Sequence, residues 1–210
     1  MMKTILIYAG LALLCISSAI AEQPDNFPID KKGVSGISEF ENRWYSKALD
    51  RLEERALMLA KTNRTKLFRF ILLPTWGNPI SVRLSIAEGV ARIEGKRLDG
   101  LGGYDPGKLV EKTSTTLRET EVKEFIALYD RMGFFTLNTA DKMLGKDGSQ
   151  WILEAADEGK YHVVVRWSPT EYDPDKRQTA NFVNACKWLY KKAQFKEDAK
   201  NKGVIEIEKQ

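Results

Sequence analysis

"ISVRLSIAEGVARIEG", Ile80 to Gly95, constrains the fold more than any other stretch, because it tests its own strand pairing. With Glu88-Gly89 as a two-residue turn, Leu84 faces Ile93, Ile86 faces Ala91, and Arg83 meets Glu94 on the other side. Apolar meets apolar, charge meets opposite charge, and a slip of one residue destroys both. A chain with such a hairpin builds an antiparallel sheet.

The neighbouring segments extend that sheet. "KLFRFILLP" before the hairpin reads as a short strand stopped by Pro74, and Lys108 to Leu117 as a strand after a glycine-rich loop. "DGSQWILEAADEGKYHVVVRWSP", Asp147 to Pro169, supplies two more. Three helices accompany these runs, one before the first, one between Leu117 and Asp147, and one after the last. In "ISEFENRWYSKALDRLEERALMLA" the apolar stripe Ile37, Phe40, Trp44, Ala48, Leu52, Ala56 and Leu59 predicts an amphipathic helix with Ser38 able to cap it. "RETEVKEFIALYDRMG" presents Val122, Phe125, Ile126, Tyr129 and Met132, with Gly133 as its C-terminal cap. "TANFVNACKWLYKKAQF" presents Phe182, Ala185, Cys186, Leu189 and Ala193. Hairpins with helices between them, without strand–helix–strand alternation, predict an α+β fold: an antiparallel sheet with about three helices on one face and the other face partly open.

The ends bear on location. Lys3, the apolar run Ile5 to Ile16, and Ala19-Ile20-Ala21 have the order of a secretory signal peptide over residues 1–21. The run is short for a membrane span, although an uncleaved anchor is the alternative. Leu14 stands before Cys15 where a lipoprotein needs a small residue, so lipidation is not expected. The expected protein is periplasmic or secreted. Residues 22–36, rich in Pro, Asp, Gly and Lys, read as a flexible lead-in, 37–195 as a single domain, and 196–210 as a charged tail in which "VIEIE" is a possible edge strand. Removal of 1–21 takes Lys3 and no acid, so the formal charge falls from +4 to +3. With charges of both signs interspersed, that is no nucleic-acid footprint. Cys186 is then the only cysteine, on an apolar helix face, where a buried small hydrophobe is expected in place of a reactive thiol.

His162 is the only histidine, and its environment depends on hairpin register. A two-residue turn at Glu158-Gly159 sets His162 opposite Ala155 and Arg166 opposite Trp151, mixing charge into the apolar side. A three-residue loop, Asp157-Glu158-Gly159, keeps one face uniformly apolar and sets His162 opposite Glu154, with Arg166 opposite Gln150. The second register is the expected one. It makes Glu154, His162 and Arg166 the candidate catalytic trio, although a structural Glu–His pair is the stronger expectation.

Two loops are candidate recognition elements. "PTWGNP" carries Trp76, and "DGLGGYDPG", Asp99 to Gly107, carries Tyr104 and Asp105 at its tip. The latter lacks the spacing, the Lys-Ser/Thr and the following helix of a phosphate loop. One histidine and one mature cysteine rule out the usual zinc constellations, no calcium-loop spacing occurs, and there is no G-x-S-x-G elbow. No metal and no cofactor is expected.

"LDGLGGYDPGKLV", "DGSQWILE" and "YHVVVRWSP", with "MGFF" ending the helix between them, resemble a family of uncharacterised bacterial exported proteins over Phe68 to Leu189. The resemblance implies export and domain boundaries, and no activity or site residue follows from it. The chain departs from that pattern at Arg118, where a capping Ser or Thr is usual. Three readings follow: a non-enzymatic module binding an envelope or secreted protein, a hydrolase using Glu154, His162 and Arg166, or a small-ligand carrier using the open sheet face.

Overall fold

The computed structural model describes residues 25–30, 36–60, 64–141, 143, 145–171, 174–177 and 179–196. The expected signal peptide with Cys15, much of the lead-in, and the tail with "VIEIE" lie outside the described residues. Among the described residues six strands, β1 (Thr65–Pro74), β2 (Ile80–Ala87), β3 (Val90–Leu98), β4 (Leu109–Leu117), β5 (Ser149–Asp157) and β6 (Lys160–Trp167), form one antiparallel sheet. Its order is β4-β3-β2-β1-β5-β6. The helices are α1 (Glu39–Arg51), α2 (Glu119–Met132), the one-turn α3 (Pro174–Arg177) and α4 (Ala180–Ala193). The fold is α+β, as expected.

The β2–β3 register is the one the pattern predicts: Leu84 pairs Ile93, Ile86 pairs Ala91, and Arg83 pairs Glu94. Its turn has positive φ at both Glu88 (51°) and Gly89 (79°), the mirror-image geometry that matches strand twist. The β5–β6 hairpin closes the same way, with φ 48° at Glu158 and 75° at Gly159. That corrects the expected three-residue loop: His162 pairs Ala155, Arg166 pairs Trp151, and Glu154 pairs Val163. Facial polarity selects a register only where one face meets water. Ser149 to Ala156 is buried along its whole length, between helices on both sides, so a charge on either face is buried and facial uniformity decides nothing.

Helices cover both faces. Phe68, Phe70 and Leu72 of β1 point to one side, into a core shared with Phe125 and Tyr129 of α2 and with Phe182, Cys186 and Leu189 of α4. Ile71 and Leu73 point to the other, where α1 lays Tyr45, Ala48 and Leu49 over them. Tyr45, Leu49 and Leu52 are each 0% exposed, worth about 1.5–3 kcal/mol apiece by transfer. The helices thus divide between the faces, α1 opposite α2 and α4. Beyond α1, the β2–β4 half of that face stays polar, with Arg92 and Ser114 exposed.

The first helix is shorter than its stripe suggested. Ser38 accepts from the Glu41 N–H at 3.2 Å and Glu41 accepts from the Ser38 N–H at 2.9 Å, a reciprocal cap. At the other end Glu53 turns left-handed (φ 53°) and the Glu54 N–H returns to the Leu49 carbonyl at 2.9 Å. Ala56 and Leu59 therefore lie off the helix, and Leu59 is 75% exposed. Phe40, at 68% exposed, is not part of the packed face either. At α2, Arg118 supplies no cap from its side chain, and Glu121 instead accepts the Arg118 N–H at 3.0 Å. Gly133 is left-handed at its end, as expected. The described part of the lead-in is also packed: Phe27 is 1% exposed and meets Tyr45 edge-on at 5.8 Å. Cys186 is fully buried and burial raises its thiol pKa, which keeps it protonated and unreactive.

Candidate functional site

The structure does not bring the candidate trio together, nor the expected Glu154–His162 pair. Consecutive strand residues alternate faces, so His162 and Arg166 lie on the α2/α4 side of β6 while Glu154 lies on the α1 side of β5. His162 Nε2 sits 2.8 Å from the Leu137 carbonyl, which can only accept, so Nε2 carries the proton. Its ring meets Phe134 edge-on at 5.2 Å. Arg166 fans onto backbone, reaching the Val165 carbonyl at 2.8 Å, Asn138 at 3.1 Å and Thr139 at 3.2 Å. It clasps the 137–141 segment against β6, beside the Val165–Thr139 backbone bond. Both side chains act as fasteners.

Burial lowers the imidazole pKa first, the Leu137 carbonyl opposes that, and Arg166 adds to the lowering. The folded chain then binds this proton less readily than the unfolded chain. The imidazole's contribution to stability is complete above the ordinary histidine range and is lost as pH falls through it. His162→Gln is expected to shrink the acid-side loss of Tm between about pH 7.5 and 5. A gap between wild type and variant that is constant over that interval would contradict this.

Glu154 belongs to a different arrangement, one the sequence reading missed. Arg69 of β1 and Glu154 are both 0% exposed, with Nε donating to the carboxylate at 2.6 Å. Arg69 also donates to the Arg55 carbonyl at 2.7 Å and to Glu54 at 3.4 Å. Glu54 gathers Lys96 at 2.8 Å and Arg83 at 3.3 Å as well, and Tyr161 donates to Glu154 at 2.9 Å. Burial raises the Glu154 pKa while Arg69 and the Tyr161 hydroxyl pull it back. Burial, then Glu154, holds the phenol far above its usual range, so Tyr161 stays a donor. This is a bolt between α1's exit and the sheet. Beside it a cleft of about 700 Å³ opens, lined by Asp50, Leu57, Leu59, Leu67, Arg83 and Glu94 among others.

The opposite end of the sheet carries the two recognition loops, and the structure brings them together. Trp76 (62% exposed) and Tyr104 (57% exposed) sit with ring centroids 5.1 Å apart, tilted by 38°. Their loops are fastened to one another: the Gly102 N–H donates to the Gly77 carbonyl at 3.0 Å, and Asn78 donates to the Gly100 carbonyl at 2.9 Å. Trp44 Nε1 of α1 donates to the Gly102 carbonyl at 2.7 Å and joins the helix to the same point. A Cβ at Gly102 would stand 2.6 Å from the Pro74 carbonyl oxygen, so only glycine admits this approach. Asp105 is exposed beside Tyr104. Its carboxylate turns back to accept the Gly107 N–H at 3.2 Å.

Beside Tyr104 lies a cleft of about 550 Å³, lined by Phe40, Arg43, Trp44 and Lys47 of α1, by Thr75, Gly103 and Tyr104, and by Gly145, Lys146 and Trp167. Phe40 and Trp44 stand four residues apart on α1; Phe40 is exposed, while Trp44 both packs against the core and lines the cleft. The sequence signal was there: the stripe contained an aromatic, Phe40, that the core does not take up. No helix among the described residues is long and apolar enough to cross a membrane. No cluster of three or more His, Cys, Asp or Glu suited to a metal occurs among them.

No family profile and no curated protein sequence matches the chain. Among solved structures, the "putative adenylate cyclase" of Bacillus halodurans is similar at 11% identity, covering 74% of this chain and 87% of that one with a TM-score of 0.20. A likeness of that size carries no argument.

Proposed function

We propose that the chain is an exported binding module that engages a protein partner through the aromatic rim at the loop end of its sheet. The observation that carries this reading is the Trp76–Tyr104 pair, exposed yet held by backbone bonds between two loops and by Trp44. Exposed aromatics on a rigid mount lose little entropy on binding, and such residues dominate interface energetics. The leader-like N-terminus supports a partner in the envelope or outside the cell. Trp76→Ala and Tyr104→Ala each remove a side chain that is mostly in water, so both are expected to fold normally. Each is expected to weaken partner binding by about 1–2 kcal/mol, roughly 5- to 30-fold. Affinity capture from the periplasm or medium, wild type beside each variant, measures this. Equal capture by all three would end the reading.

The cleft beside the Arg69–Glu154 bolt favours a second reading, a carrier of a small amphipathic molecule. Its wall of Leu57, Leu59 and Leu67 offers apolar contact and its volume of about 700 Å³ is in the range of ligand sites. Displacement of a fluorescent apolar probe, lost in Leu67→Asp, tests it.

A further inference from the structure

We infer that the partner presents an acidic, extended polypeptide segment with an apolar anchor, seated between the aromatic rim and α1. This rests on the rim reading and adds the chemistry of the occupant. The cleft carries three cations, Arg43, Lys47 and Lys146, and no carboxylate among its lining residues. Arg43 meets Glu39 only at 3.9 Å with both side chains about two-thirds exposed, and Lys47 and Lys146 have no ion-pair partner among the described residues. The groove continues past Phe40, Trp44, Gly145 and Trp167 towards Ala140 and Val165. Two carboxylates enter there, and both are already engaged. Glu41 accepts from Ser38 at 2.7 and 2.9 Å, and Asp141 accepts from Arg177 at 2.6 Å. Glu41 keeps its charge, but Asp141 is matched by Arg177, so Arg43, Lys47 and Lys146 leave the lining net positive.

Its length and chemistry select the class. Two clefts of about 550 and 430 Å³ adjoin along α1, sharing Phe40, Trp44, Gly145 and Trp167, an elongated lining that suits an extended chain. The net positive charge of the lining favours an anionic occupant over a neutral one. Phe40, Trp44 and Trp167 along the floor take an aromatic or aliphatic anchor, while the cations at the margin steer and hold acids on either side.

The test is selection of a displayed random dodecapeptide library on the exported protein, with the Trp76→Ala/Tyr104→Ala and Lys47→Glu/Lys146→Glu double variants as comparators. Enriched peptides are expected to place Asp or Glu beside Trp, Phe or Leu. Their affinity is expected to fall about tenfold or more in the charge-reversed variant and steeply with added salt. Rim-dependent peptides that are neutral or basic, or that keep their affinity after charge reversal, would overturn the inference and leave the rim reading standing. Peptides indifferent to the rim variant would overturn the rim reading itself, and absence of any enriched peptide would overturn the acidic segment. Phosphatidylglycerol vesicles run in parallel. Vesicle binding lost in both variants, without peptide binding, would reassign the surface to a membrane and overturn the polypeptide. Lys47→Gln/Lys146→Gln keeps the comparison available if charge reversal disturbs folding.

Discussion

Arg69→Met is expected to destabilise the protein by about 3–5 kcal/mol, the range for breaking a buried pair by removing one partner. The guanidinium is 0% exposed and joins Glu154, Glu54 and the Arg55 carbonyl. Without it, Glu54 keeps Lys96 and Arg83, but Glu154 keeps only the Tyr161 hydroxyl inside an apolar layer. Urea unfolding should show a lower midpoint with an unchanged slope. The loss carries a pH signature. Burial already raises the Glu154 pKa, and removing its cation raises it further. A carboxyl with a raised folded pKa favours folding below its unfolded pKa, and the benefit disappears as pH climbs through the folded value. Arg69→Met is therefore expected to recover stability on acidification relative to wild type. Arg69→Met/Glu154→Leu, which removes both charges, should regain much of the loss. A single variant costing less than about 1 kcal/mol would show that the pair is not the bolt described.

Gly102→Ala is the second large effect. The added methyl would meet the Pro74 oxygen, the Leu73 carbonyl carbon and the Leu73 Cα at 2.6–2.8 Å, all backbone atoms of β1. Nothing there can rotate aside, so the loop must move as a unit. That movement breaks the Gly102–Gly77 bond and the Trp44 bond to the Gly102 carbonyl. A cost of about 2–3 kcal/mol is expected, at the upper end for overpacking, together with loss of rim-dependent binding. Near-ultraviolet circular dichroism, which senses the fixed aromatics, should weaken with it. Normal stability with intact binding would refute the claim that the glycine loop is a rigid mount.

How much of this was legible depends on whether water reached the element concerned. At β2–β3 the Arg83–Glu94 pair has one partly wet face, and polarity alone selects the observed register. At β5–β6 the same reasoning failed by one residue, because the strand has two buried faces and the Glu154 charge is matched from β1, 85 residues away in sequence. No local pattern encodes such a partner. The first helix differs from its stripe for a related reason: its apolar residues serve two surfaces, Tyr45 and Leu49 the core, Phe40 the cleft, and Trp44 both. Trp76 and Tyr104 were visible as exposed loop aromatics, but their meeting depends on a contact between Gly77 and Gly102, which composition cannot reveal.

The two ends of the sheet differ in kind. One is finished by two Glu-Gly corners that occupy a pair of residues each, and the other by long loops, the helix start and the aromatic pair. Variation in natural or laboratory sequences thus has a permissive address: the exposed side chains of Trp76 and Tyr104 can be exchanged to redirect recognition while the hairpin corners, far down the strands, go on dictating the scaffold.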